Sequence, residues 1–319
     1  MNGDRLRLAL IYGGDSSERD VSISGGESIR EALDPEKYEV TCYDPAQDLK
    51  RLVADAGRID FCFLNLHGTN GEDGRMQGFL DLLGLPYQGS GVLGSALAMD
   101  KLSAKQCYRQ AGLPVAPDRV LRRADTAVDL AGITETLGWP IVVKPARGGS
   151  SLGMGMATDR ASLEAAIANG FKYDATLLLE ACVQGIELTC GVLGNQELEA
   201  LPVIEIAPGD AFAFFDYTAK YTPGATREIC PARIPDDVAA AVKTYAIRAH
   251  QCLCCEGYSR TDMMLQGDTL FLLETNTLPG MTPNSLLPLA ARTAGLSFSA
   301  LLDRLVALGL SNHSEKRKG

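Results

Sequence analysis

The sequence contains no apolar run long enough to span a membrane, which needs about 20 residues. Its first segment, Met1 to Arg7, leads into a short apolar stretch that Gly13 and Gly14 interrupt, and such a beginning is not typical of a signal peptide. The formal net charge is −10, whereas binding to nucleic acid or to an anionic membrane needs clustered Lys and Arg. We therefore expect a cytoplasmic protein with no nucleic-acid partner and no membrane partner.

The nine cysteines lack the spacing of a disulfide framework or of a zinc site. Their only cluster is Cys252, Cys254 and Cys255. Most of the others lie inside apolar segments, so we expect reduced, buried thiols.

Two common nucleotide-binding motifs are also missing. Lys144 precedes a glycine-rich turn instead of following one, so this turn is not a P-loop. The segment Gly13-Gly14-Asp15 lacks the third glycine of the dinucleotide fingerprint, and no credible ribose-binding acid follows it. These absences disfavour an oxidoreductase of the Rossmann type.

Strands and helices alternate in the first hundred residues. The apolar pattern predicts strands at 6–12, 38–43 and 59–66 and helices at 22–33 and 49–56. Such an alternation implies a parallel sheet with helices on both faces, and ligands bind at the carboxyl ends of its strands. Residues 13–18 and 67–74 fall at those ends.

The rest of the chain predicts further strands and helices, with a larger α+β region from about Glu187. Helices are predicted at 96–112, 163–168, 237–251 and 298–308. Strands are predicted at 139–144, 176–180, 187–193, 200–206, 258–265 and 269–275. Residues 311–319 are polar and basic, and we expect them to be frayed. A chain of 319 residues predicts two or three domains.

The two segments at 260–262 and 274–276 carry the clearest indication of chemistry. Residues 265–269 predict a hairpin turn, which places Asp262 and Glu274 on neighbouring antiparallel strands. Residues two apart share one face of a strand, so Arg260 lies beside Asp262, and Asn276 beside Glu274. Converging oxygen donors suit Mg²⁺, whose other ligands are water and phosphate. The alternative is a solvated hairpin edge, but unpaired carboxylates are costly between such apolar runs.

A glycine-rich turn at 148–153 follows the apolar strand that ends near Lys144. Its backbone amides can close over phosphates, and Lys144 adds a point charge. Alone, the turn is equally typical of a plain hairpin, and it predicts a nucleotide clamp only in combination with the metal site. Glu180 and Glu187 frame a segment suited to adenine and ribose, and without that context they would be two carboxylates in water.

These segments resemble the ATP-grasp superfamily and, within it, the D-alanine–D-alanine ligases. The resemblance runs from Leu8 to about Leu308, and two stretches are specific to the ligases. One is HGTNGEDGRMQG, which begins at His67, and the other is the segment around Arg260 extended to Leu286. The segments 13–22 and 99–101 are also similar to those of the family.

The resemblance implies a three-domain ATP-grasp fold that combines α/β and α+β parts around a central cleft. A Rossmann-like parallel sheet at 1–95 would bind the first D-alanine. A central subdomain with a glycine-rich lid would occupy 96–185, and a C-terminal subdomain with the Mg²⁺ site and a mobile loop 186–312. A frayed tail would follow at 313–319. On the same ground we expect a homodimer.

The implied reaction joins two D-alanines for peptidoglycan precursor synthesis. The first D-alanine carboxylate attacks the γ-phosphate of ATP, and the amine of the second then attacks the acyl phosphate. The resemblance assigns ATP binding to Lys101, Lys144, Gly149, Ser150, Ser151, Glu180, Glu187 and Lys220. It assigns two Mg²⁺ or Mn²⁺ to Asp262, Glu274 and Asn276.

The resemblance also implies residues for the two D-alanines and for catalysis. The first D-alanine would contact Glu18 and His67, although a lone histidine after a strand is equally typical of a structural role. The second D-alanine would contact Ser285, Leu286 and Lys220. The catalytic residues would be Glu18, Ser150, Tyr221, Arg260 and Gly280. Tyr221 with Ser150 is one candidate for the general base, and solvent or phosphate are the others.

Four residues depart from the family pattern: Thr261, Thr275, Met156 and Gly148. We expect the two threonines to face away from the metals. Two other functions remain open. The acceptor could be another D-amino acid or D-lactate, although Lys220-Tyr221 favours an amine over a hydroxy acid. A nucleotide-binding protein without catalysis is the third possibility, but it predicts lost phosphate or metal ligands.

Overall fold

The structure is a computed structural model that describes residues 5–126, 128–149, 152–208 and 226–316. In these ranges the chain forms a parallel three-stranded sheet, an antiparallel four-stranded sheet and an antiparallel six-stranded sheet. All nine cysteines are free thiols, as expected, but only Cys62, Cys190 and Cys255 are buried, so the expectation of buried thiols is wrong for the others.

The N-terminal sheet is parallel, which confirms the prediction from the alternating pattern. It consists of β1 (Leu6–Tyr12), β2 (Tyr38–Tyr43) and β3 (Phe61–Asn65), in the order β2-β1-β3. The crossover helices are α1 (Arg19–Ala32) and α2 (Pro45–Asp55), and a 3₁₀ turn follows at Ala56–Arg58. The helix α2 begins earlier than predicted because Asp44 caps it and a proline occupies its first turn.

Three helices lead away from this sheet: α3 (Arg75–Leu83), α4 (Val92–Met99) and α5 (Lys101–Gln110). The single helix predicted over 96–112 is therefore wrong. The chain breaks at Asp100, whose backbone is extended and whose carboxylate accepts a hydrogen bond from the Ser103 amide at 2.9 Å. An aspartate in this position starts a new helix, and this sets Lys101 at the first turn of α5.

The four-stranded sheet has the order β4-β7-β5-β6. Its strands are β4 (Asp118–Arg122), β5 (Ile141–Pro145), β6 (Gly155–Ala157) and β7 (Thr176–Ala181), and its helices are α6 (Leu130–Leu137) and α7 (Arg160–Gly170). The sequence pattern predicted β5, α7 and β7 but missed β4, α6 and β6. The strand β6 has only three residues, too few for a periodic signal.

The six-stranded sheet has the order β11-β10-β8-β12-β13, with β9 paired to β8. Its strands are β8 (Ile186–Gly194), β9 (Glu199–Ala200), β10 (Ile204–Pro208), β11 (Thr226–Ile229), β12 (Gly257–Gln266) and β13 (Thr269–Asn276). The helix α8 (Asp236–Cys252) packs against β8 and β12. The strands β12 and β13 form the predicted hairpin.

Two helices complete the chain: α9 (Leu286–Thr293) and α10 (Phe298–Lys316). The structure differs from the frayed tail predicted at 311–319, because α10 continues to Lys316 and residues 317–319 lie outside the described ranges. Asn312 explains the difference, since its amide donates to the Glu256 carboxylate at 2.6 Å. Among the described residues, no single helix is long and apolar enough to span a membrane, and one pair that reaches this length together is bent by 104°.

The apolar residues form three separate cores. The first joins the N-terminal sheet to the six-stranded sheet and α10, and contains Leu10, Leu193 and Leu302. The second lies on the other face of the six-stranded sheet, under α5 and α8. The third belongs to the four-stranded sheet and its two helices alone.

Candidate active site

A cleft lies where the three sheets meet, and it brings together every predicted site residue that the structure describes. One part is lined by Glu18, His67, Lys101, Gly149, Arg260, Glu274, Asn276, Gly280, Ser285 and Leu286. The adjoining part is lined by Lys101, Lys144, Gly149, Glu180, Glu187, Asp262 and Glu274. The other predicted residues, Ser150, Ser151, Lys220 and Tyr221, lie outside the described ranges.

The β12–β13 hairpin presents its polar side chains to the cleft. Asp262 pairs directly with Glu274, and Arg260 with Asn276, so all lie on one face. This confirms the placement predicted from the hairpin turn. Because β12 also pairs with β8, Arg260 and Asp262 stand inside the sheet, whereas Glu274 and Asn276 lie on β13, its terminal strand.

Asp262 is held by several donors. Arg260 donates to both of its carboxylate oxygens, at 2.9 and 2.8 Å, and the Thr189 hydroxyl donates at 2.5 Å. Burial disfavours the charged guanidinium of Arg260, but the adjacent Asp262 carboxylate outweighs burial and raises the pKa of Arg260. Arg260 therefore remains a fixed cation on the cleft wall.

The hairpin donors suit a cation that takes few protein ligands. Among the described residues, no group of three or more His, Cys, Asp and Glu side chains could hold a metal by itself. Asp262 and Glu274 supply carboxylate oxygens, and the Asn276 amide, which donates to Asp262 at 3.2 Å, presents its oxygen after rotation by 180°. Such a set fits Mg²⁺ that completes its coordination with water and phosphate.

The opposite face of the hairpin explains two departures from the family pattern. The Thr261 and Thr275 hydroxyls lie 3.0 Å apart, and the Tyr108 hydroxyl donates to Thr275 at 2.7 Å. All three residues are buried in the core under α5. The threonines face away from the cleft, as predicted, and their hydroxyls connect the hairpin to α5.

Lys144 and Glu180 lie on neighbouring strands of the four-stranded sheet, where they form an ion pair in the second part of the cleft. Glu180 also pairs with Lys105, a residue that the sequence analysis missed. Burial disfavours the ionised carboxyl of Glu180, but Lys144 and Lys105 outweigh burial and hold its pKa at about 2. The available signal was the position of Lys105 one helical turn after Lys101.

The first residue of α5 lies against the glycine-rich turn. The Lys101 amide donates to the Ala146 carbonyl at 2.9 Å, and its ammonium donates to the Gly148 carbonyl at 2.7 Å. Glu187 lies at the beginning of β8, and the apolar residues around it in the cleft include Val142, Met154, Met156, Met264 and Leu273. This part of the cleft combines cations, carboxylates and an apolar slot, as a nucleotide site requires.

The wall contributed by the N-terminal sheet carries Glu18 and His67. A Cβ atom at Gly149 would lie 2.5 Å from the Glu18 carboxylate, so a larger residue in the turn would displace the end of the Glu18 side chain. Glu72, which the sequence analysis also missed as a site residue, accepts a hydrogen bond from the Gly68 amide at 2.7 Å. Burial, assisted by the charge of Glu18, raises the pKa of Glu72 to about 8.

The opposite wall contains Gly280, Ser285 and Leu286. The Ser285 hydroxyl lies 2.8 Å from that of Thr282 and accepts from the Thr282 amide at 3.1 Å. Ser285 immediately precedes α9, so the N-terminal end of a helix faces the cleft, a position that favours a carboxylate. Arg260 lines the same part of the cleft.

A nucleotide cleft between two antiparallel sheets, with a carboxylate-bearing hairpin at its base, defines the ATP-grasp class. Family models described as D-ala D-ala ligase N-terminus and C-terminus match residues 44–90 and 107–307. A D-alanine–D-alanine ligase from Syntrophobacter fumaroxidans is 56% identical over 98% of this chain and 100% of its own. The chain therefore belongs to the D-alanine–D-alanine ligase family, which confirms the resemblance.

Similar solved structures support the same family. The ligase from Bacillus anthracis complexed with ATP has a TM-score of 0.85 at 34% identity and covers 98% of this chain and 99% of its own. A D-Ala:D-Ser ligase from Enterococcus faecalis has a TM-score of 0.83 at 30% identity and covers 96% and 99%. The predicted ATP-grasp fold is confirmed by these similarities.

Proposed function

We propose that this protein converts two D-alanines and ATP into D-alanyl-D-alanine, ADP and phosphate, and so supplies peptidoglycan precursors in the cytoplasm. The observation that carries this function is the single cleft. It places Arg260, Asp262 and Glu274 of the buried hairpin opposite Glu18, and beside the pair Lys144–Glu180. The names of the relatives support D-alanine as the substrate.

Lys101 and Lys144 bind the phosphates of ATP, together with Gly149 and, from outside the described ranges, Ser150 and Ser151. Glu180 accepts a hydrogen bond from the adenine amine, and Glu187 binds the ribose. The apolar slot beside these two carboxylates has room for a base, and the similar Bacillus anthracis ligase was solved with ATP.

Asp262, Glu274 and Asn276 hold two Mg²⁺ or Mn²⁺. When bound, these cations neutralise phosphate charge so that a carboxylate can approach. The convergence of the three donors on one strand-pair face supports this assignment.

In the first step, a carboxylate oxygen of the first D-alanine attacks the γ-phosphorus, and the bond to the oxygen of ADP breaks. Glu18 binds the ammonium group of this substrate, and His67 lies on the same wall. The product is a D-alanyl phosphate. The family resemblance assigns the exclusion of water from this intermediate to Lys220, Tyr221 and Ser150, which lie outside the described ranges.

In the second step, the amine of the other D-alanine gives a proton to solvent, to phosphate or to Tyr221 with Ser150 and attacks the acyl carbon, and phosphate leaves. Arg260 and the amide of Gly280 stabilise the negative oxygen of the tetrahedral intermediate. Ser285 and Leu286, together with Lys220, bind the second D-alanine. The position of Ser285 before α9 supports its contact with a carboxylate.

The test measures phosphate release from ATP with and without D-alanine, and mass spectrometry identifies the dipeptide. We expect phosphate release only when D-alanine is present. D-serine and D-lactate serve as competing acceptors, since a similar structure is a D-Ala:D-Ser ligase. ATP turnover without any dipeptide would overturn the proposal. A mixed dipeptide formed in preference to D-alanyl-D-alanine would retain the reaction but change the acceptor.

The cleft suggests a division into the three predicted domains, at 1–95, 96–185 and 186–312, because each sheet falls within one of these ranges. We assign a homodimer, formed through an apolar surface on α3 and α4. Leu82, Val92 and Leu93 are exposed there, by 90%, 45% and 60%. Light scattering should give twice the monomer mass for the wild type, and the monomer mass for Leu82→Glu.

A further inference from the structure

Glu180 stands between two lysines that approach it from different directions. Lys144 and Glu180 line the cleft, whereas Lys105 does not. The Lys105 side chain is only 3% exposed and that of Glu180 8%, while Lys144 is 17% exposed. Lys105 therefore contacts Glu180 from behind, on the side away from the nucleotide slot.

Lys105 is fixed in this position by further acceptors. Its ammonium donates to the Ala116 carbonyl at 2.9 Å and lies 3.5 Å from the Asp118 carboxylate. Asp118 pairs with Glu180 across β4 and β7, and it also forms an ion pair with Arg109. With these contacts, the Lys105 ammonium is held behind Ala116 and Glu180, which line the cleft, whereas Lys144 is itself part of the cleft wall.

The two lysine side chains therefore differ in whether they can leave Glu180 for a ligand in the cleft. If Lys144 leaves Glu180 to bind a phosphate, the buried carboxylate must keep another cation, because an uncompensated charge in the interior is strongly unfavourable. Among the residues that the structure describes, Lys105 is the cation that then remains in contact with Glu180. Without it, Glu180 would either retain Lys144 or take up a proton.

We infer that Lys105 is a positioning residue that keeps Glu180 ionised and in place for the adenine amine, so that Lys144 is available to the phosphates. This inference rests on the nucleotide-binding roles proposed for Glu180 and Lys144. It predicts that Lys105 determines ATP affinity and the preference for an amino-bearing base, without contact to the nucleotide.

The first experiment compares Lys105→Met with the wild type in ATP binding, measured by calorimetry, and in steady-state kinetics. We expect the dissociation constant and the KM for ATP to rise about tenfold or more. A tenfold rise of the dissociation constant corresponds to a loss of about 1.4 kcal/mol of binding free energy. The kcat and the KM for D-alanine should change less than threefold. The preference for ATP over GTP should fall.

Arg109→Met is the matched control, since Arg109 contacts Asp118 but not Glu180 in the structure, and its side chain is 45% exposed. It should leave the KM for ATP unchanged. An equal rise of the KM in both variants would indicate a general disturbance of α5 and would overturn the inference.

The double variant Lys105→Met/Glu180→Gln separates positioning from folding. Since Glu180→Gln removes the carboxylate that Lys105 is inferred to neutralise, and Asp118 keeps its ion pair with Arg109, the double variant should bind ATP no more weakly than Glu180→Gln alone. Additive losses would refute the inference. Should Lys105→Met fail to fold, as judged by circular dichroism, the inference still requires the double variant to fold and to match Glu180→Gln.

Different results would refute the proposed ligase function and the inferred role of Lys105. A wild-type protein that binds ATP but forms no dipeptide would refute the proposed ligase function, while calorimetry still tests Lys105. A wild-type protein that forms dipeptide, with ATP binding unchanged in Lys105→Met, would refute only the role of Lys105.

Discussion

Replacing Thr275 by valine tests the reasoning about the face of the β12–β13 hairpin that is opposite to Asp262 and Glu274. Valine has nearly the same shape as threonine but no hydroxyl. The change removes the acceptor of the Tyr108 hydroxyl and the neighbour of the Thr261 hydroxyl, at 2.7 and 3.0 Å. Both remaining hydroxyls are buried, so water does not replace the lost partner.

The magnitude follows from the cost of a buried, unsatisfied donor, which is about 1–3 kcal/mol. We expect Thr275→Val to reduce the free energy of unfolding by about 2 kcal/mol. Adding Tyr108→Phe removes the stranded hydroxyl, and replacing both partners by apolar groups is nearly neutral. The double variant should therefore be more stable than Thr275→Val alone.

Urea unfolding followed by circular dichroism measures these differences. The comparison requires that the slope of the unfolding free energy against urea concentration is the same in all variants. Thr261→Val is the control, since it leaves the hydrogen bond from Tyr108 to Thr275 intact. A Thr275→Val protein as stable as the wild type would contradict the argument. So would a double variant less stable than Thr275→Val.

Three further predictions concern the cleft. Arg260→Lys should lower kcat by about 10²–10³ through loss of an oxyanion donor, while calorimetry finds ATP affinity within tenfold of the wild type. Chelation by EDTA should abolish dipeptide synthesis, and added Mg²⁺ should restore it, with Asp262→Asn needing more Mg²⁺ for half-maximal rate. Glu72 has a pKa of about 8 in the folded protein, above its value of about 4.3 when unfolded. The folded state therefore binds this proton more tightly, and the contribution of Glu72 to stability falls as pH rises from about 4.3 to 8. Burial lowers the pKa of His250 to about 4, and its contribution to stability rises with pH up to about 6.5. For protein without metal or nucleotide, thermal unfolding of the wild type should therefore lose stability relative to Glu72→Gln as pH rises through this range. A wild type and a Glu72→Gln variant whose stabilities change equally with pH would refute this reasoning.

The residues that share one face of the β12–β13 hairpin could be predicted, because this arrangement depends on local rules. A turn at 265–269 and a period of two residues place Asp262, Glu274 and Asn276 together without knowledge of the rest of the fold. The break between α4 and α5 was missed because the apolar pattern continues through it. Asp100, as a capping residue, was the overlooked signal.

Lys105 and Glu72 could not be predicted in the same way. Lys105 meets Glu180 across 75 residues of chain, and only the pairing of β4 with β7 sets Asp118 beside them. Since β4 was itself missed, the sequence offered no partner for a lysine on α5. The raised pKa of Glu72 likewise depends on burial and on Glu18, which comes from a different segment of the chain.

The division of the apolar cores has a consequence for how the cleft opens. The N-terminal sheet and the six-stranded sheet share one core with α10, and Asp303 of that helix binds both Lys37 and Tyr38 at the start of β2. The four-stranded sheet has a core of its own. A motion of the four-stranded sheet relative to the base formed by the other two sheets would therefore break no shared apolar core, but the ion pairs of Lys105 and Arg109 on α5 with Glu180 and Asp118 restrain it. Glu18 and Arg260 keep their spacing in the base during such a motion.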